Sequence, residues 1–191
     1  MSVGDVGIVA LQGDVREHAH LIRSLGWNPR EVRQPADLKG LDGLVFPGGE
    51  STTIGTLADR FGLVEPLRKA IGGGLPTFGT CAGMIFLASG VTEGSQLLLG
   101  VLDVTVQRNA FGRQNNSFEA DIDVESFDAP FHAVFIRAPW VERVGEHVEV
   151  LAQVDDHPVL VRDRNVVAAA FHPELTGDSR IHMMALSVGA A

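Results

Sequence analysis

Apolar positions recur along this chain in two rhythms. The first governs residues 6–89, where short apolar runs alternate with segments of helical period. Val6 to Leu11 is an apolar run closed off by Gly13, the pattern of a buried strand. Val15, Ala19 and Ile22 then fall at i, i+4 and i+7, with Leu25 on the same face. That spacing predicts an amphipathic helix, which Asp14 can cap and Gly26 can end. A short strand is predicted near Arg30 to Arg33, and a fully apolar one over Gly43 to Phe46, stopped by Pro47-Gly48-Gly49. Helices are predicted from about Ser51 and around Glu65 to Ile71, the second ended by Gly72-Gly73-Gly74. Leu75 to Thr80 reads as a further strand and Ala82 to Ser89 as a further helix. Strand and helix in alternation imply a largely parallel sheet covered on both faces.

The second rhythm has period two. Leu102, Val104 and Val106 alternate with Asp103, Thr105 and Gln107. Phe118 to Glu125 and His147 to Val154 repeat that alternation, so these strands have one solvated face. Val166 to Phe171 is apolar throughout and returns to the buried centre, and a last helix carries Ile181, Met184, Ala185 and Val188 on one face. The expected fold is α/β, a three-layer open mixed sheet with a parallel core and an antiparallel extension. The acids from Glu119 to Asp128 read as a solvated strand face.

Composition narrows the function more than the fold. Hydrophobic residues make up 45% of the 191 and charged residues 20%, a globular and not a disordered balance. Fifteen Lys and Arg against 24 Asp and Glu leave a net charge of −9. That acidity argues against nucleic-acid and acidic-membrane partners, both of which need a basic face. No apolar run approaches the ~20 residues that cross a bilayer. The N-terminal apolar stretch lacks a basic segment before it and is interrupted by Gly and Asp, so it reads as a first strand and not as a signal peptide. A cytoplasmic location is the corresponding expectation. No repeat or linker marks a boundary, so residues 1–191 read as one domain.

The chain holds one cysteine, which excludes an internal disulfide and a multi-cysteine zinc site. That cysteine stands in Gly79-Thr80-Cys81-Ala82-Gly83, between an apolar strand and an apolar helix. A nucleophile on a sharp strand-to-helix turn needs small neighbours, and the helix N-terminus behind it favours the thiolate. The alternative is a buried, inert thiol. A nucleophilic Cys needs a base, and of seven histidines His172 is best placed. It follows the apolar strand Val166 to Ala170 in Phe171-His172-Pro173-Glu174, at a strand end, where open α/β sheets carry their sites. Glu174 can reach back to fix its tautomer. His18 and His20 on the first helix are expected to face solvent. His132, His147 and His157 show no partner, and His182 falls on the last helix.

Pro47-Gly48-Gly49-Glu50-Ser51-Thr52 admits two readings. Ser51 or Thr52 can simply cap a helix after a glycine turn, or Gly49 can offer its N–H to an oxyanion. A phosphate loop would need a Lys that is absent here. Arg108 and Arg137, at polar strand ends, suit a carboxylate or are plain surface charge.

Taken together, these motifs resemble class I, triad-type glutamine amidotransferases, whose fold is flavodoxin-like. More narrowly they resemble the family of glutaminase subunits of pyridoxal 5′-phosphate synthase. The resemblance runs through Leu11-Gln12-Gly13, Arg16-Glu17-His18, Pro47 to Thr53, Gly79 to Ile85, Arg108 to Gln114, Ser117-Phe118-Glu119, Phe135 to Pro139 and Phe171 to Leu175. The stretch Ser89 to Ser95 and Trp140 depart from it. The resemblance implies hydrolysis of L-glutamine to glutamate and ammonia through a Cys81 thioester, with His172 as base and Glu174 orienting it. It implies an oxyanion hole from the N–H groups of Gly49 and Ala82. It implies glutamine binding by Gly49, Glu50, Ser51, Arg108, Ile136 and Arg137, with Gln12 toward a partner. That partner is a (β/α)8-barrel pyridoxal 5′-phosphate synthase subunit in a hetero-oligomer, which receives the ammonia for vitamin B6 biosynthesis. No cofactor or metal is implied. The alternatives are an amidotransferase subunit for a different synthase, a related cysteine hydrolase, and a non-catalytic binding module of the same fold.

Overall fold

The computed structural model describes residues 4–111 and 117–187. The first half runs β1 (Asp5–Val9), α1 (Val15–Ser24), β2 (Asn28–Val32), β3 (Gly43–Phe46), α2 (Ser51–Arg60), α3 (Val64–Gly72), β4 (Thr77–Thr80), α4 (Ala82–Leu87) and β5 (Ala88–Val91). The second half runs β6 (Leu102–Gln107), β7 (Ser117–Ile122), β8 (Phe131–Ile136), β9 (Trp140–Val144), β10 (Glu149–Val154), β11 (His157–Asp163), β12 (Val166–Ala169) and α5 (Arg180–Leu186). The expected alternation of the first half is present with its ends moved by a residue or two. Gly112 to Gln114 and Val188 lie outside the described residues.

Seven strands form the main sheet in the order β10-β11-β12-β4-β3-β1-β2. From β12 to β2 every pairing is parallel, whereas β10-β11-β12 is antiparallel. β3, β4 and β12 are buried at every position, as a sheet covered on both faces requires. Phe78 on β4 meets His18 of α1 and His182 of α5 on one face. On the other face Phe46 of β3 packs on Phe86 of α4. The result is three layers with a parallel core.

The antiparallel extension expected from the sequence exists as β10 and β11, but β6 and β7 do not join it. β6 sits between β5 and β9 in a three-stranded sheet, and β7 pairs with β8 as a separate hairpin. The β7–β8 hairpin is held by aromatic rings, because a two-stranded ribbon has too little core of its own. Phe118 stacks on Phe135 with centroids 4.5 Å apart, and Phe135 meets Phe171 just beyond β12. The His172 backbone N–H donates to Val134 O at 2.8 Å, which ties the hairpin to the C-terminal ends of the central strands. Among the described residues no helix is long and apolar enough to cross a membrane.

Candidate active site

The site lies where β3, β4 and β12 end, and register brings those ends together. Phe46 pairs with Gly79, and Ala169 pairs with Thr80. Cys81 follows directly on β4, His172 comes three residues after Ala169, and Pro47-Gly48-Gly49 leaves β3 beside both.

Cys81 has φ +47°, a left-handed conformation that costs a non-glycine residue roughly 1–3 kcal/mol and recurs at functional turns. Its N–H donates to Ala169 O at 2.8 Å and its carbonyl accepts from Ile85 N at 3.2 Å, so both flanks of the turn are pinned. The glycines on either side are sterically required. A Cβ at Gly79 would lie 2.5 Å from the Leu87 side chain, and one at Gly83 would lie 2.1 Å from Phe46 O. The small residues read from the sequence as permissive of a tight turn therefore let α4 lie directly on β3 and β4. Ala82 is the first residue of α4, so its N–H has no intrahelical acceptor and is free for an anion.

His172 is buried at the cleft floor. Its Nδ1 lies 2.7 Å from Glu174 Oε1 and 3.4 Å from Asp14 Oδ2, leaving Nε2 for the Cys81 side. Burial alone would lower its pKa. Hydrogen bonds to Asp14, Cys81 and Glu174 outweigh it and push the imidazole well above its ordinary value, so it readily holds a proton. Burial pushes Glu174 upward, opposed by the His172 hydrogen bond and charge. Asp14, His172 and Glu174 bring three potential ligand atoms within 4.8 Å of one another. At 2.7 Å the imidazole and the Glu174 carboxylate share a hydrogen bond, so this cluster is better suited to hold the ring than to hold an ion.

Asp14 corrects one expectation. It stands at the N-cap position of α1, yet its side chain makes no capping bond and turns instead to His172. α2 corrects a second, because its cap is neither Ser51 nor Thr52. The Glu50 carboxylate accepts from Thr53 N at 2.8 Å and Thr52 N at 3.3 Å, and also from both threonine hydroxyls. Its small burial would raise its pKa, but these donors hold it down to about 2, so Glu50 is ionised at any working pH.

A cleft of about 330 Å³ opens above Cys81. Its walls include every residue named from the sequence except Glu174, which lies behind His172: Gln12, Gly49, Glu50, Ser51, Cys81, Ala82, Arg108, Ile136, Arg137 and His172. Arg137 and Asn109 share the positive φ of Cys81, at +45° and +46°. Ile136 O lies 3.9 Å from Cys81 Sγ. Arg108 Nη2 lies 3.9 Å from Glu50 Oε1. Gln12 Oε1 accepts the Glu50 N–H at 2.6 Å, while Gly48 O accepts the Asp14 N–H at 3.3 Å. The glycine loop is thus tied to the loop after β1 from two sides.

Gln96 was not foreseen. Its Oε1 accepts from Ser51 Oγ at 3.1 Å and from Arg108 Nη1 at 3.2 Å, bridging two walls of the cleft. It follows a stretch that departs from the family pattern, and no local signal marks it. The histidines also needed correction. His18 is fully buried and not solvent-facing, whereas His20 is exposed as expected. His132 lies between Glu119 and Asp121, and His157 stacks on Trp140 at 3.5 Å, so both have partners.

Comparison with known proteins agrees with this geometry. Residues 8–188 match the SNO glutamine amidotransferase family. The chain is 58% identical, over 98% of its length and 94% of the relative, to the pyridoxal 5′-phosphate synthase subunit PdxT of Parafrankia sp. (strain EAN1pec). It is 54% identical to the protein of that name from Mycolicibacterium vanbaalenii, covering 96% of this chain and 97% of that one. A crystal structure of a glutamine amidotransferase superposes with a TM-score of 0.93 at 51% identity, over 97% of this chain and 99% of that one. PurLQS from Thermotoga maritima shares the fold at a TM-score of 0.70 and 17% identity, over 95% and 92% of the two chains. With Cys, His and Glu meeting at the strand ends and the match running almost end to end, the chain belongs to the SNO glutamine amidotransferase family.

Proposed function

We propose that this chain hydrolyses L-glutamine to glutamate and ammonia, and that the ammonia serves a partner subunit in pyridoxal 5′-phosphate synthesis. The observation that carries the reading is the meeting of Cys81, His172 and Glu174 beneath a polar cleft of small-molecule size. Cys81 Sγ attacks the side-chain carboxamide carbon as its proton passes to His172. The N–H groups of Gly49 and Ala82 receive the oxyanion; in a comparable enzyme one such donor is worth roughly 10²–10³ in rate. His172 then gives its proton to the leaving ammonia, and the glutamyl thioester remains. Water adds to the thioester as His172 takes a proton from it, and glutamate departs. Glu174 holds the His172 tautomer and balances its charge.

Glutamine is zwitterionic at its α-carbon. Arg108 and Arg137 offer it cations, Glu50 offers an anion, and Ser51 a hydroxyl. Ile136 O, close to Sγ, is placed to accept from the carboxamide NH2. Gln12 braces the glycine loop on the side where a (β/α)8-barrel synthase subunit is expected to dock. A cytoplasmic setting belongs to this reading, because a lone nucleophilic thiol must stay reduced. The test is an electrophilic glutamine analogue followed by intact mass, together with ammonia release from glutamine with and without the synthase. A single adduct at Cys81 and ammonia release that rises with the synthase are expected. No adduct in either state would sink the glutaminase reading.

A further inference from the structure

Behind the triad lies a second buried polar chain, built from groups the reaction scheme leaves unused. His18 of α1 and His182 of α5 are both fully buried. His18 Nδ1 lies 2.9 Å from His182 Nε2. His18 Nε2 lies 3.1 Å from Thr80 Oγ1, the residue before Cys81, and 3.6 Å from Glu174 Oε2. Within this buried network, two atoms lack a hydrogen-bond partner among the described residues: Glu174 Oε2 and His182 Nδ1. The acid that holds His172 through Oε1 therefore turns its second oxygen toward His18.

The two orphans decide which way the hydrogens point. If His18 carried its proton on Nδ1 and donated to His182, then His182 would need its own N–H on Nδ1. That donor would be buried without an acceptor, and the His18 Nε2 lone pair would face the Glu174 carboxylate. In the opposite arrangement His182 Nε2–H donates to His18 Nδ1, and His18 Nε2–H points between Thr80 Oγ1 and Glu174 Oε2. The atom left over is then a lone pair on His182, which is the easier group to leave unsatisfied. Both rings stay neutral, because burial lowers the pKa of each, and for His18 the nearby His182 and His172 add to it.

We propose that His18 and His182 are positioning residues for the reaction: His182 sets the tautomer of His18, and His18 turns an N–H toward Glu174 Oε2. The N–H dipole favours the ionised, correctly turned carboxylate that keeps His172 aligned on Cys81. The proposal rests on reading Cys81, His172 and Glu174 as the catalytic triad. The groups facing Glu174 are His172 and His18, with Asp14 across the His172 ring; those facing His18 are His182, Thr80 and Glu174.

The test compares His18→Gln, His18→Asn and His18→Leu in the full chain with its synthase partner, by ammonia release from glutamine across pH. A glutamine amide reaches the place of Nε2 and can still serve Glu174. An asparagine amide reaches only the place of Nδ1. H18Q is expected to keep kcat within about threefold of the parent, while H18N and H18L lose roughly ten- to a hundredfold, as when outer partners of other functional ligands are removed. KM should hold within about twofold, since the substrate does not touch His18. Removing a donor from a carboxylate raises its pKa, so the acid limb of kcat/KM should move to higher pH in H18N and H18L but not in H18Q. Should H18L fail to fold, the H18N and H18Q pair, matched in polarity and checked by thermal melting, carries the test. Equal kcat in H18N and H18Q, or an unmoved acid limb, overturns the proposal. A parent complex that releases no ammonia defeats the underlying glutaminase reading instead.

Discussion

The floor and the rim of the cleft are built on opposite principles. At the floor His172, Glu174, His18 and His182 are buried and bonded mainly to one another, with rings and carboxyl groups locked by packing. At the rim Glu50, Arg108 and Arg137 keep substantial contact with solvent, and among the described residues Arg108 is held by one hydrogen bond and a long ion pair. Low dielectric makes electrostatic preorganisation at the floor strong and a lost partner expensive. Solvent makes the rim forgiving, with weaker and partly screened contacts. The floor should therefore control turnover and acid stability, and the rim should control substrate affinity.

The sharpest separation comes at Cys81. Cys81→Ala should lower glutamine turnover by at least roughly 10³-fold, because one member of a cooperating triad removes nearly all of its effect. Stability should hardly change. Alanine keeps the Cβ, so it inherits the same strained φ and relieves nothing, and the thiol gives up only its hydrogen bond to His172 and a long contact to Ile136 O at 3.9 Å. Turnover by ammonia release and a thermal melt on the same sample test both halves. A large loss of melting temperature would mean that the thiol is a core element and would blur the contrast of floor and rim.

What could be read in the sequence divides along the same line. The Cys81 turn was legible because the glycines that let α4 lie directly on β3 and β4 stand two positions away from the cysteine on either side. The His172-Pro173-Glu174 step was legible for the same reason, since the acid lies two residues from the ring it holds. The parallel core followed from apolar runs such as Gly43 to Phe46. His18 was not legible. Its burial depends on His182, 164 positions away, and on a helix rotation that its own neighbours Glu17 and Ala19 do not specify. Gln96 and Asp14 were hidden likewise, because each acts through contacts made across loops. The strands β5, β8, β9 and β11 were missed as elements, and the β7–β8 hairpin owes its place to ring packing that periodicity does not encode.

The next effect belongs mainly to the floor. Burial holds His182 neutral and pushes its pKa from 6.5 down to about 4, and His18 is lowered as well. A histidine depressed in the folded state contributes stability above its unfolded pKa and loses it as pH falls toward the folded one. Stability should therefore fall between pH 6.5 and about 4, by about 3 kcal/mol for His182 over that window. The rim acts at lower pH: Glu50, held down to about 2 in the folded protein, gives up its contribution as pH falls from its ordinary 4.5 toward 2, so only the last part of the window overlaps with it. Denaturant unfolding at pH 7 and pH 4.5 measures the slope. His182→Phe should reduce proton uptake on unfolding by about one, and an unchanged slope would place the acid sensitivity elsewhere.

At the rim, Arg108→Ala should raise KM for glutamine by roughly 30-fold, the equivalent of about 2 kcal/mol for a hydrogen bond to a charged group. The parent kcat should be nearly kept, because the contact is made equally in ground and transition states. A fall in kcat with KM unchanged would move Arg108 from the rim to the reacting atoms.

The smallest effect tests whether the rim has any structure of its own. Gln96 Oε1 joins Ser51 to Arg108, while its Nε2 is buried without a partner among the described residues. Gln96→Leu removes that orphan donor and keeps most of the side-chain volume, so the fold should lose little stability. Ser51 and Arg108 lose their shared acceptor, worth about 1 kcal/mol, which corresponds to roughly fivefold in KM at unchanged kcat. Steady-state kinetics beside a thermal melt distinguish the two possibilities. If KM does not move, Arg108 is positioned by Glu50 and solvent alone, and the rim is a set of separate charges. If KM rises while the melt holds, the rim is braced from behind by one neutral amide, as the floor is by two neutral imidazoles.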